Sequence, residues 1–528
     1  MAQDSAPPAA PIEVELKLKL SPRSIAGLRA RLMAYGVGVR RAIDSVYFDT
    51  PGNALGAHGY ALRIRRVGTG RDARWIQTLK SDDAGGALAR RREWEADAAD
   101  GRLDVARFPR ASLPPALRGA ARGSVQARFR TRFRRTTWQV EFGGSALEVA
   151  LDEGYIETPG IRAADALREA IAELEIEVKR GSPHAAIGLA LDLVGPAAPT
   201  SRQRPSLRPA VESKAERGYR LAAAAGRGDR PRPGVANADV ETIAAGIVGD
   251  VSTADALRRA VGNALAVLLR NASGIEASDD PEYVHQARVA LRRMREGLRL
   301  FGAIGGFPDD LLDDVRWLAR ALGEARDADV LATETLPPLL DAIPPAVALR
   351  IARRVAKARA RARRDLLATL EAPRFCRLAL RLLAWSQHLG PAGADSRPSR
   401  QPLAERAPAV LRREHRRWIA GVNGAMRGGD EDWHRARLRT KRLRYAIELC
   451  GIALTGRRAE RWLRGLRRLQ DALGDFQNAV VAAAAIERLF PPGAARDAIS
   501  RALERQRVDA LRAASTLCAA LAQRAGPA

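Results

Sequence analysis

The sequence contains only three cysteines, Cys376, Cys450 and Cys518, and their spacing matches no metal-ligand motif. So small and odd a number excludes a disulfide framework and indicates a reducing compartment, so we expect a cytoplasmic protein. No apolar run reaches the roughly 18 residues that a membrane-spanning helix needs, and no membrane partner is expected. Residues 1–11 are rich in Ala and Pro but lack the basic start and apolar core of a signal peptide, so they are predicted to be a disordered tail.

Other residue types and motifs are also scarce. Aromatic residues make up 5% of the chain and are not interleaved with its basic stretches, which argues against nucleic acid as a partner. No Gly-x-x-x-x-Gly-Lys segment is present, which argues against a P-loop enzyme. Acidic residues are outnumbered, 61 Asp and Glu against 88 Lys and Arg, and the formal net charge is +27. A charge of this size implies a polyanionic partner such as polyphosphate, nucleic acid or an anionic lipid surface.

The length of 528 residues exceeds what one hydrophobic core usually supports, so two or more domains are expected. Residues 1–200 contain 30 Lys and Arg against 24 Asp and Glu, whereas the remainder contains 58 against 37. Most of the positive charge available to a polyanion therefore lies after residue 200.

Near the N-terminus, charged and apolar residues alternate strictly from Glu13 to Lys17. Alternate side chains of a β-strand share a face, so two carboxylates and an ammonium group lie on one face and apolar side chains on the other. A second stretch, from Glu173 to Lys179, alternates in the same way and carries three carboxylates. Each stretch alone is also compatible with a solvated edge strand. Inside a closed barrel, facing carboxylates would need cations or hydrogen-bond donors between them.

Further alternating stretches follow at residues 60–65, 75–80, 91–96, 128–140 and 146–151. About eight such strands, many with charges on one face, predict a closed antiparallel β-barrel with a polar interior, because a packed core would not accept those charges. The interior would then be a binding tunnel. After about residue 240 the apolar periodicity changes from two to between three and four, which predicts an all-helical domain. The expected fold class is a multidomain α+β protein.

Residues 12–195 carry an ordered set of motifs: Glu13-x-Glu15-x-Lys17, Tyr47-Phe48-Asp49-Thr50, Leu62-Arg63-Ile64-Arg65, Thr78-Leu79-Lys80, Arg92-Glu93, Glu148-x-x-x-Asp152 and Glu173-Leu174-Glu175-Ile176-Glu177. This set resembles the CYTH domain of the triphosphate tunnel metalloenzymes. The resemblance implies an eight-stranded barrel whose lumen binds a triphosphate. Carboxylates would hold Mg²⁺ or Mn²⁺ on one side of the lumen, and basic residues would hold phosphate oxygens on the other.

The resemblance also implies roles for individual residues. The catalytic candidates are Glu13, Glu15 and Lys17. The candidate metal ligands are Glu13, Glu15, Asp152, Glu175 and Glu177, with Glu148 and Glu173 as helpers. The candidate phosphate-binding bases are Lys17, Arg63, Arg65, Lys80 and Arg135. A triphosphate carries about four negative charges and needs several bases, and arginine offers bidentate contacts to phosphate. Asp49 is interpreted as a turn residue rather than a ligand.

Residues 196–240 are predicted to be a linker between the two domains, because Pro- and Arg-rich stretches lie at both ends. Between these stretches, residues 213–219 have the pattern of a docked segment. An open alternative is that this segment closes one mouth of the tunnel.

The helical part, residues 241–523, contains an internal repeat. Two sets of residues recur on helix faces: His285, Arg288, Arg292 and Arg295, and then His434, Arg437, Lys441 and Arg444. Both sets are spaced i, i+3, i+7 and i+10, and they are 149 residues apart. A second motif, at residues 321–327, is echoed at 472–478, 151 residues later. The near-constant offset predicts duplicated helical units related by a pseudo-twofold axis, each with a basic rail suited to a polyanion.

These motifs resemble the CHAD domain over about residues 245–523. The resemblance implies two pseudo-symmetric helical bundles around a basic groove that binds inorganic polyphosphate. The candidate polyphosphate-binding residues are His285, Arg288, Arg292, Arg293, His434, Arg437, Lys441 and Arg444. The two histidines are not accompanied by other metal-ligating residues. They are interpreted as hydrogen-bond donors to phosphate or as structural residues. The second repeat has Phe476-Gln477-Asn478 where the first has Ala325-Arg326-Asp327, so the halves need not bind alike.

The residues and both resemblances predict a metal-dependent inorganic triphosphatase that converts tripolyphosphate to pyrophosphate and phosphate, with a helical domain that binds polyphosphate. Two alternatives stay open. The barrel could cyclise ATP or hydrolyse an organic triphosphate such as thiamine triphosphate, which a ring-stacking pocket at the tunnel mouth would favour. The protein could also be a non-catalytic polyphosphate-binding module, although the intact carboxylate set argues against this.

Overall fold

A computed structural model describes most of the chain. The described residues are 12–70, 73–81, 88–98, 101–118, 125–158, 167–195, 206–227, 231–247, 250–340, 343–387, 400–451, 457–490 and 492–527. The tail predicted at residues 1–11 lies outside them. The chain divides into two compact units. The first comprises Met1–Val235, Glu276–Ser278 and Glu371–Ala384, and the second comprises Ala236–Ile275, Asp279–Leu370 and Trp385–Ala528.

The described residues form strands and helices in the following order. The strands are β1 (Ile12–Leu20), β2 (Val39–Asp49), β3 (Tyr60–Val67), β4 (Arg74–Ser81), β5 (Leu88–Asp97), β6 (Gln126–Phe142), β7 (Ser145–Glu157), β8 (Arg168–Arg180) and β9 (Leu207–Pro209). The helices are α1 (Ile25–Leu32), α2 (Ala54–Ala57), α3 (Pro115–Arg118), α4 (Pro183–Val194), α5 (Lys214–Ala225), α6 (Val240–Ile243), α7 (Thr253–Ala277), α8 (Pro281–Gly305), α9 (Asp309–Val330), α10 (Pro337–Leu340), α11 (Pro345–Glu371), α12 (Pro373–Ser386), α13 (Leu403–Ala425), α14 (Asp430–Gly451), α15 (Arg457–Leu489) and α16 (Ala494–Ala522).

Eight strands of the first unit close into an antiparallel barrel. Their order is β5-β4-β3-β2-β6-β7-β8-β1, and β1 pairs with β5 to close the sheet. The short strand β9 pairs with Leu18 to Leu20 of β1, beyond the Ile12 to Leu16 stretch that pairs with β5. The predicted fold class, a barrel of eight antiparallel strands followed by a helical domain, is confirmed.

Both faces of β1 are buried, which distinguishes it from a solvated edge strand. Glu15 and Lys17 are 4% and 7% exposed on one face, and Leu16 and Leu18 are fully buried on the other. Helix α4 packs on β1, β7 and β8, and its buried residues are all alanine, isoleucine, leucine or valine. An apolar layer therefore covers the outside of these strands, and the charged side chains lie on the lumen side.

A Gly-Gly turn at residues 143–144 sets the register of the longest hairpin, formed by β6 and β7. Both glycines have positive φ angles, +55° and +71°, which a two-residue hairpin turn requires. Phe142 pairs with Ser145 beside the turn, and seven residues further along each strand Arg135 pairs with Asp152. The turn therefore places a predicted phosphate-binding base opposite a predicted metal ligand.

Asp49 caps the short helix α2. Its carboxylate accepts hydrogen bonds from the backbone N–H groups of Leu55 and Gly56 at 2.9 and 2.8 Å. The prediction that Asp49 is a turn residue is confirmed.

Part of the segment predicted to be a linker is folded. β9 pairs with β1, and α5 begins with a capping box in which the side chains of Ser213 and Glu216 accept each other's backbone N–H groups. α5 packs on β6 and β7, and Gly218 allows the approach, since a Cβ there would lie 2.0 Å from the ring of Phe129. Residues 213–219 are thus docked on the barrel, as their pattern predicts. Residues 196–205 and 228–230 lie outside the described ranges, and the exact domain boundaries stay predictions.

The second unit repeats its helices in order. α8 and α9 carry the first copies of the two sequence motifs, and α14 and α15 carry the second. Ser252 and Pro402, 150 residues apart, form an isolated antiparallel bridge. The residue after each donates its backbone N–H to the carbonyl of the residue before the other, at 2.9 and 3.0 Å. Such reciprocal contacts agree with the predicted pseudo-twofold axis. None of the described helices is both long and apolar enough to cross a membrane.

Candidate functional site

The barrel encloses a cavity of about 970 Å³ whose wall carries charges of both signs. Nine of the predicted site residues line it: Glu13, Glu15, Lys17, Arg63, Arg65, Lys80, Arg135, Glu175 and Glu177. The helper Glu148 also lines it, whereas Asp152 and Glu173 are buried outside its lining. Lining residues that were not predicted include Tyr47, Arg91, Glu93, Glu95 and Lys214.

The two carboxylates of β1 are paired with lysines. Glu15 lies 2.8 Å from Lys17, and Glu13 accepts a hydrogen bond from Lys80 at 2.7 Å. Lys80 also lies 2.7 Å from Glu93. Burial acts to lower the pKa of Lys80, but Glu93 and Glu13 outweigh it and raise that pKa. Lys80 is therefore charged, and phosphate oxygens would compete with the carboxylates for both lysines.

The two arginines of β3 differ in their partners. Arg63 lies 3.4 Å from Glu93 and donates a 3.4 Å hydrogen bond to the hydroxyl of Tyr47. Arg65 forms no ion pair with any described residue, and its Nε is buried without a hydrogen-bond partner. Burial, together with Arg63 and Arg135, lowers the pKa of Arg65 to about 10. Arg65 is thus a half-buried cation that forms no ion pair with any acidic residue among the described ones, although the Glu93 carboxylate acts on it from a distance.

Arg135 belongs to a buried ionic network with acidic partners. It donates to Asp152 at 2.8 and 2.7 Å and also to Glu175. Lys214, from α5, lies 2.9 Å from Asp152 and 2.7 Å from both Glu175 and Glu173. Burial acts to raise the pKa of Asp152, but the Arg135 and Lys214 cations hold it below its usual value. A predicted phosphate-binding base and two predicted metal ligands thus neutralise one another here.

Glu177 lies in an acidic cluster that suits a divalent cation. Burial raises its pKa, and the nearby carboxylates of Glu13 and Glu148 raise it further, against the opposing effect of Lys179 at 2.6 Å. Carboxylate oxygens are donors that Mg²⁺ and Mn²⁺ prefer. Among the described residues, no three Asp, Glu, His or Cys side chains are placed to hold an ion together. The donor chemistry fits a hard cation, and coordination requires carboxylates such as Glu13 to turn away from their lysines.

Glu93 and Lys214 are two of the lumen residues that were missed as site candidates. Glu93 shares a strand face with Arg91 and Glu95, and that alternation could have identified it. Lys214 follows Ser213, whose capping box signals the start of a helix. Its position in the lumen depends on how α5 packs on the barrel, which no local pattern encodes.

A second candidate site lies between α8 and α14, where the two basic rails come together. Lys441 is 7% exposed, and the charged groups that act on it most strongly are Arg437, Arg292, Arg288 and Arg444. The Nε atoms of Arg292 and Arg437 are buried without hydrogen-bond partners in the described part of the chain. Buried cations normally have acidic partners, and here the single carboxylate of Asp327 is shared among several cations, so the cluster keeps an excess of positive charge. We call Arg288, Arg292, Arg437 and Lys441 the groove cluster.

Tyr445 completes the floor of this site and was not predicted. It is 3% exposed, and its hydroxyl has no hydrogen-bond partner among the described residues. The guanidinium carbons of Arg292, Arg293 and Arg444 lie 5.4, 5.2 and 5.0 Å from the centre of its ring. Arg293 and Arg444 also pair with Glu448, the latter at 3.2 Å. Arg293 therefore helps to hold α8 against α14, whereas the pair of Arg444 and Glu448 lies within α14.

The two predicted histidines have different surroundings. His434 Nδ1 lies 2.7 Å from Gln477 Oε1. In the first repeat, burial and the nearby Arg326 lower the pKa of His285. Gln477 occupies the position equivalent to Arg326, so the sequence difference between the repeats gives one histidine a hydrogen bond and the other a cationic neighbour.

Comparisons with known proteins bear on both halves of the chain. Residues 11–219 match the family model of the CYTH domain, and residues 259–487 match that of the CHAD domain. An uncharacterized protein of Mycobacterium tuberculosis (strain CDC 1551 / Oshkosh) is 31% identical over 242 residues, 44% of this chain and 45% of the relative. The inorganic triphosphatase of Haemophilus influenzae is 29% identical over 173 residues, 32% of this chain and 46% of the relative. Among solved structures, the CHAD domain from the plant Ricinus communis is 27% identical, with 56% of this chain and 98% of that chain covered and a TM-score of 0.45.

The matched stretches span just under half the length of each curated relative. The two family matches follow the order of the predicted domains, and the CYTH match extends into the first half of α5, to residue 219. The sequence-based recognition of both domains is confirmed. The chain thus contains a CYTH domain, matched over residues 11–219, and a CHAD domain, matched over residues 259–487.

Proposed function

We propose that the barrel is a divalent-metal-dependent triphosphatase that hydrolyses inorganic tripolyphosphate to pyrophosphate and phosphate. The observation that carries this proposal is the cavity of about 970 Å³ in which carboxylates and bases share one enclosed wall. Hydrolysis of a phosphoanhydride depends on positioning and on neutralising the charge of the transferred group, and such a wall supplies both. Similarity to an inorganic triphosphatase over 173 residues supports the same reaction class.

The bases of the lumen would bind the phosphate chain. Arg65 is the proposed anchor, because its Nε is buried without a hydrogen-bond partner and it forms no ion pair among the described residues. Arg63 and Lys80 would exchange their contacts with Glu93 for phosphate oxygens. Movement of Lys80 toward phosphate would release Glu13, so substrate binding would free a carboxylate for the metal.

The proposed metal ligands are Glu13, Glu15 and Glu177, with Glu148 as a helper. When bound, Mg²⁺ or Mn²⁺ would supply an activated water and neutralise charge on the transferred phosphoryl group. Asp152 and Glu175, also predicted as ligands, accept contacts from Arg135 and Lys214. We propose that their main role is to hold these two cations in the wall of the lumen.

The aromatic residues of the cavity favour an inorganic substrate. Among the described lining residues, the aromatic ones are Tyr47 and Trp94. Tyr47 is stacked on Phe129 with ring centroids 4.5 Å apart, and Trp94 packs against an apolar cluster that includes Leu79. Tyr47 is buried and not open to stack on a nucleobase or a thiamine ring, and the half-buried ring of Trp94 already has packing partners. This arrangement argues against ATP cyclisation and thiamine triphosphate hydrolysis.

We further propose that the groove cluster binds inorganic polyphosphate. Lys441 is buried, the three arginines are half-buried, and the cations, which come from two helices, share the single carboxylate of Asp327, so a polyanion would provide the missing charge. Tyr445 is flanked by three guanidinium groups, which leaves its ring unavailable for base stacking. Polyphosphate, which has charge and no bases, therefore fits better than single-stranded nucleic acid.

Phosphate release from tripolyphosphate, ATP and thiamine triphosphate, measured side by side with Mg²⁺ and with Mn²⁺, tests the substrate. We expect tripolyphosphate to be hydrolysed fastest with either ion and chelation to abolish the reaction. Preferred turnover of ATP or thiamine triphosphate would contradict an inorganic substrate, and turnover of none of the three would favour a non-catalytic polyphosphate-binding module.

Glu13→Gln tests the role of the β1 carboxylates. It keeps the size of the side chain but removes the charge that would hold a metal, so we expect kcat for tripolyphosphate to fall on the order of 10²-fold or more. Glu141→Gln is the matched control, because Glu141 is 70% exposed at the far end of β6. Full activity in Glu13→Gln would refute the assignment.

A further inference from the structure

Lys441 is the most confined cation of the groove cluster. It lies on α14 and is 7% exposed. No hydrogen bond or ion pair joins its ammonium group to any residue that the structure describes. A buried lysine without an acidic partner is unfavourable in its charged form, because the ion has lost water and has gained no compensating contact.

The charged groups around Lys441 come from three helices. Arg437 and Arg444 lie on its own helix, and Arg288 and Arg292 face it from α8. The carboxylate of Asp327 on α9 is close enough to interact with Lys441, but burial raises the pKa of Asp327 and several arginines share it.

The other two helices packed on α14 supply no free acid to this position. Glu414 on α13 pairs with Arg299 at 3.1 Å and with Arg417 at 2.9 Å. α15 presents the uncharged Gln477, which contacts His434. The surroundings of Lys441 are therefore predominantly cationic.

Burial, and then repulsion from Arg437, Arg292 and Arg288, lowers the pKa of Lys441 to about 5. Lys441 is the member of the groove cluster that can respond to this repulsion near neutral pH, because arginine keeps its proton. A polyanion that enters the groove would replace repulsion by attraction and would raise the pKa of the same amine.

We propose that Lys441 is uncharged when the groove holds no polyanion and takes up a proton from solvent as one binds, so that polyphosphate and a proton bind together. The inference rests on the proposed polyphosphate-binding function of the groove. The lone pair of Nζ accepts the proton, and the resulting ammonium donates to phosphate oxygens. By linkage, polyphosphate affinity falls as pH rises between the two pKa values, by about tenfold per pH unit for one proton.

Isothermal titration of the full chain with long-chain inorganic polyphosphate tests the proposal. The titration is run at pH 7.5 with a chelator, in two buffers that differ in ionisation enthalpy, and the difference in apparent heat gives the protons taken up. His285 lies beside the same arginines, and burial lowers its pKa, so it can contribute to the total. The decisive quantity is therefore the difference between wild type and Lys441→Met.

We expect wild type to take up about one proton more than Lys441→Met, and its Kd to increase more steeply with pH from 6.5 to 8.5. Lys357→Met, at an exposed position of α11, is the matched control and should keep the wild-type uptake. If wild type binds polyphosphate tightly but takes up the same number of protons as Lys441→Met, the inference is overturned, and the proposal that the groove binds polyphosphate stands. Absence of wild-type binding refutes the proposed groove and the inference together.

A measurement without ligand guards against a misfolded variant. The amine has a lower pKa in the folded protein than in the unfolded chain, so the unfolded chain binds more protons between pH 5 and about 10. The free energy of unfolding therefore falls as pH falls through this range, and Lys441 destabilises the fold more strongly at lower pH. Lys441→Met should therefore gain stability over wild type on going from pH 9 to pH 6, and a constant difference would contradict an uncharged lysine.

Discussion

Tyr445 has lost its hydrogen bonds to water without gaining one from the described protein, and its hydroxyl lies among arginines. A buried hydroxyl in this condition is available to donate to a phosphate oxygen. We expect Tyr445→Phe to weaken polyphosphate binding by roughly ten- to hundredfold, the value of one hydrogen bond to a charged acceptor. The ring and its contacts with Arg292, Arg293 and Arg444 are kept, so the thermal stability should be unchanged or slightly raised.

Titration calorimetry and thermal unfolding of Tyr445→Phe separate binding from packing. Tyr60→Phe, in the barrel, is a control that should leave polyphosphate affinity unchanged. A loss of stability in Tyr445→Phe with wild-type affinity would show that the hydroxyl serves the fold and not the ligand.

Single residues were predicted well where charge and periodicity coincide. The helical spacing of Arg288 and Lys441 placed them on their rails, and the structure brings the rails together. Tyr445 was not predicted as a site residue, because an aromatic residue at helical spacing is ordinarily part of the core. Its unpaired hydroxyl depends on the surrounding helices, which a one-dimensional pattern does not contain.

At the scale of elements, helix α5 lies in the segment predicted to be a linker, yet it contributes a residue to the charged lumen of the barrel. It delivers Lys214 to the network around Asp152, and its approach depends on Gly218. In Gly218→Ala the new methyl group would overlap the ring of Phe129, which is itself buried between Tyr47 and Tyr219. We expect a loss of about 1–3 kcal/mol in stability and reduced triphosphatase activity, because Lys214 moves with the helix.

Gly226→Ala is the control for helix α5. Gly226 ends the helix with a negative φ angle, and a Cβ there would meet only ordinary contacts at 3.7 Å. It should retain activity and stability. Chemical denaturation and phosphate release measure both variants, and wild-type behaviour of Gly218→Ala would show that α5 is not docked as described.

The elements themselves were largely readable from the sequence. Strict alternation predicted the barrel strands and their polar face, and the structure shows that the Gly-Gly turn at 143–144 sets the register that pairs Arg135 with Asp152. The same alternation could not tell that this pair would be neutralised internally, because the second cation, Lys214, comes from a segment about 60 residues further along the chain. Local pattern fixes which face a side chain occupies, whereas tertiary packing decides which partners it meets there.

At the scale of the whole molecule, the two proposed activities use different residues, and each can be removed separately. Arg288→Glu combined with Arg437→Glu places negative charge in the groove, where polyphosphate would bind. We expect polyphosphate affinity to fall by at least tenfold and the dependence of log Kd on log salt concentration to become shallower, by about one unit per lost contact if polyphosphate behaves like nucleic acid. Hydrolysis of tripolyphosphate should keep the wild-type kcat, because its bases lie in the barrel.

The matched control is Arg458→Glu combined with Arg461→Glu, which makes the same change in net charge at exposed positions of α15. It should reduce polyphosphate affinity only slightly, through the overall field of a protein with a net charge of +27. Glu13→Gln provides the converse case, with hydrolysis lost and polyphosphate binding kept. If both pairs of charge reversals weakened binding equally, polyphosphate would be held by the general positive field of the molecule, and the groove cluster would have no special role.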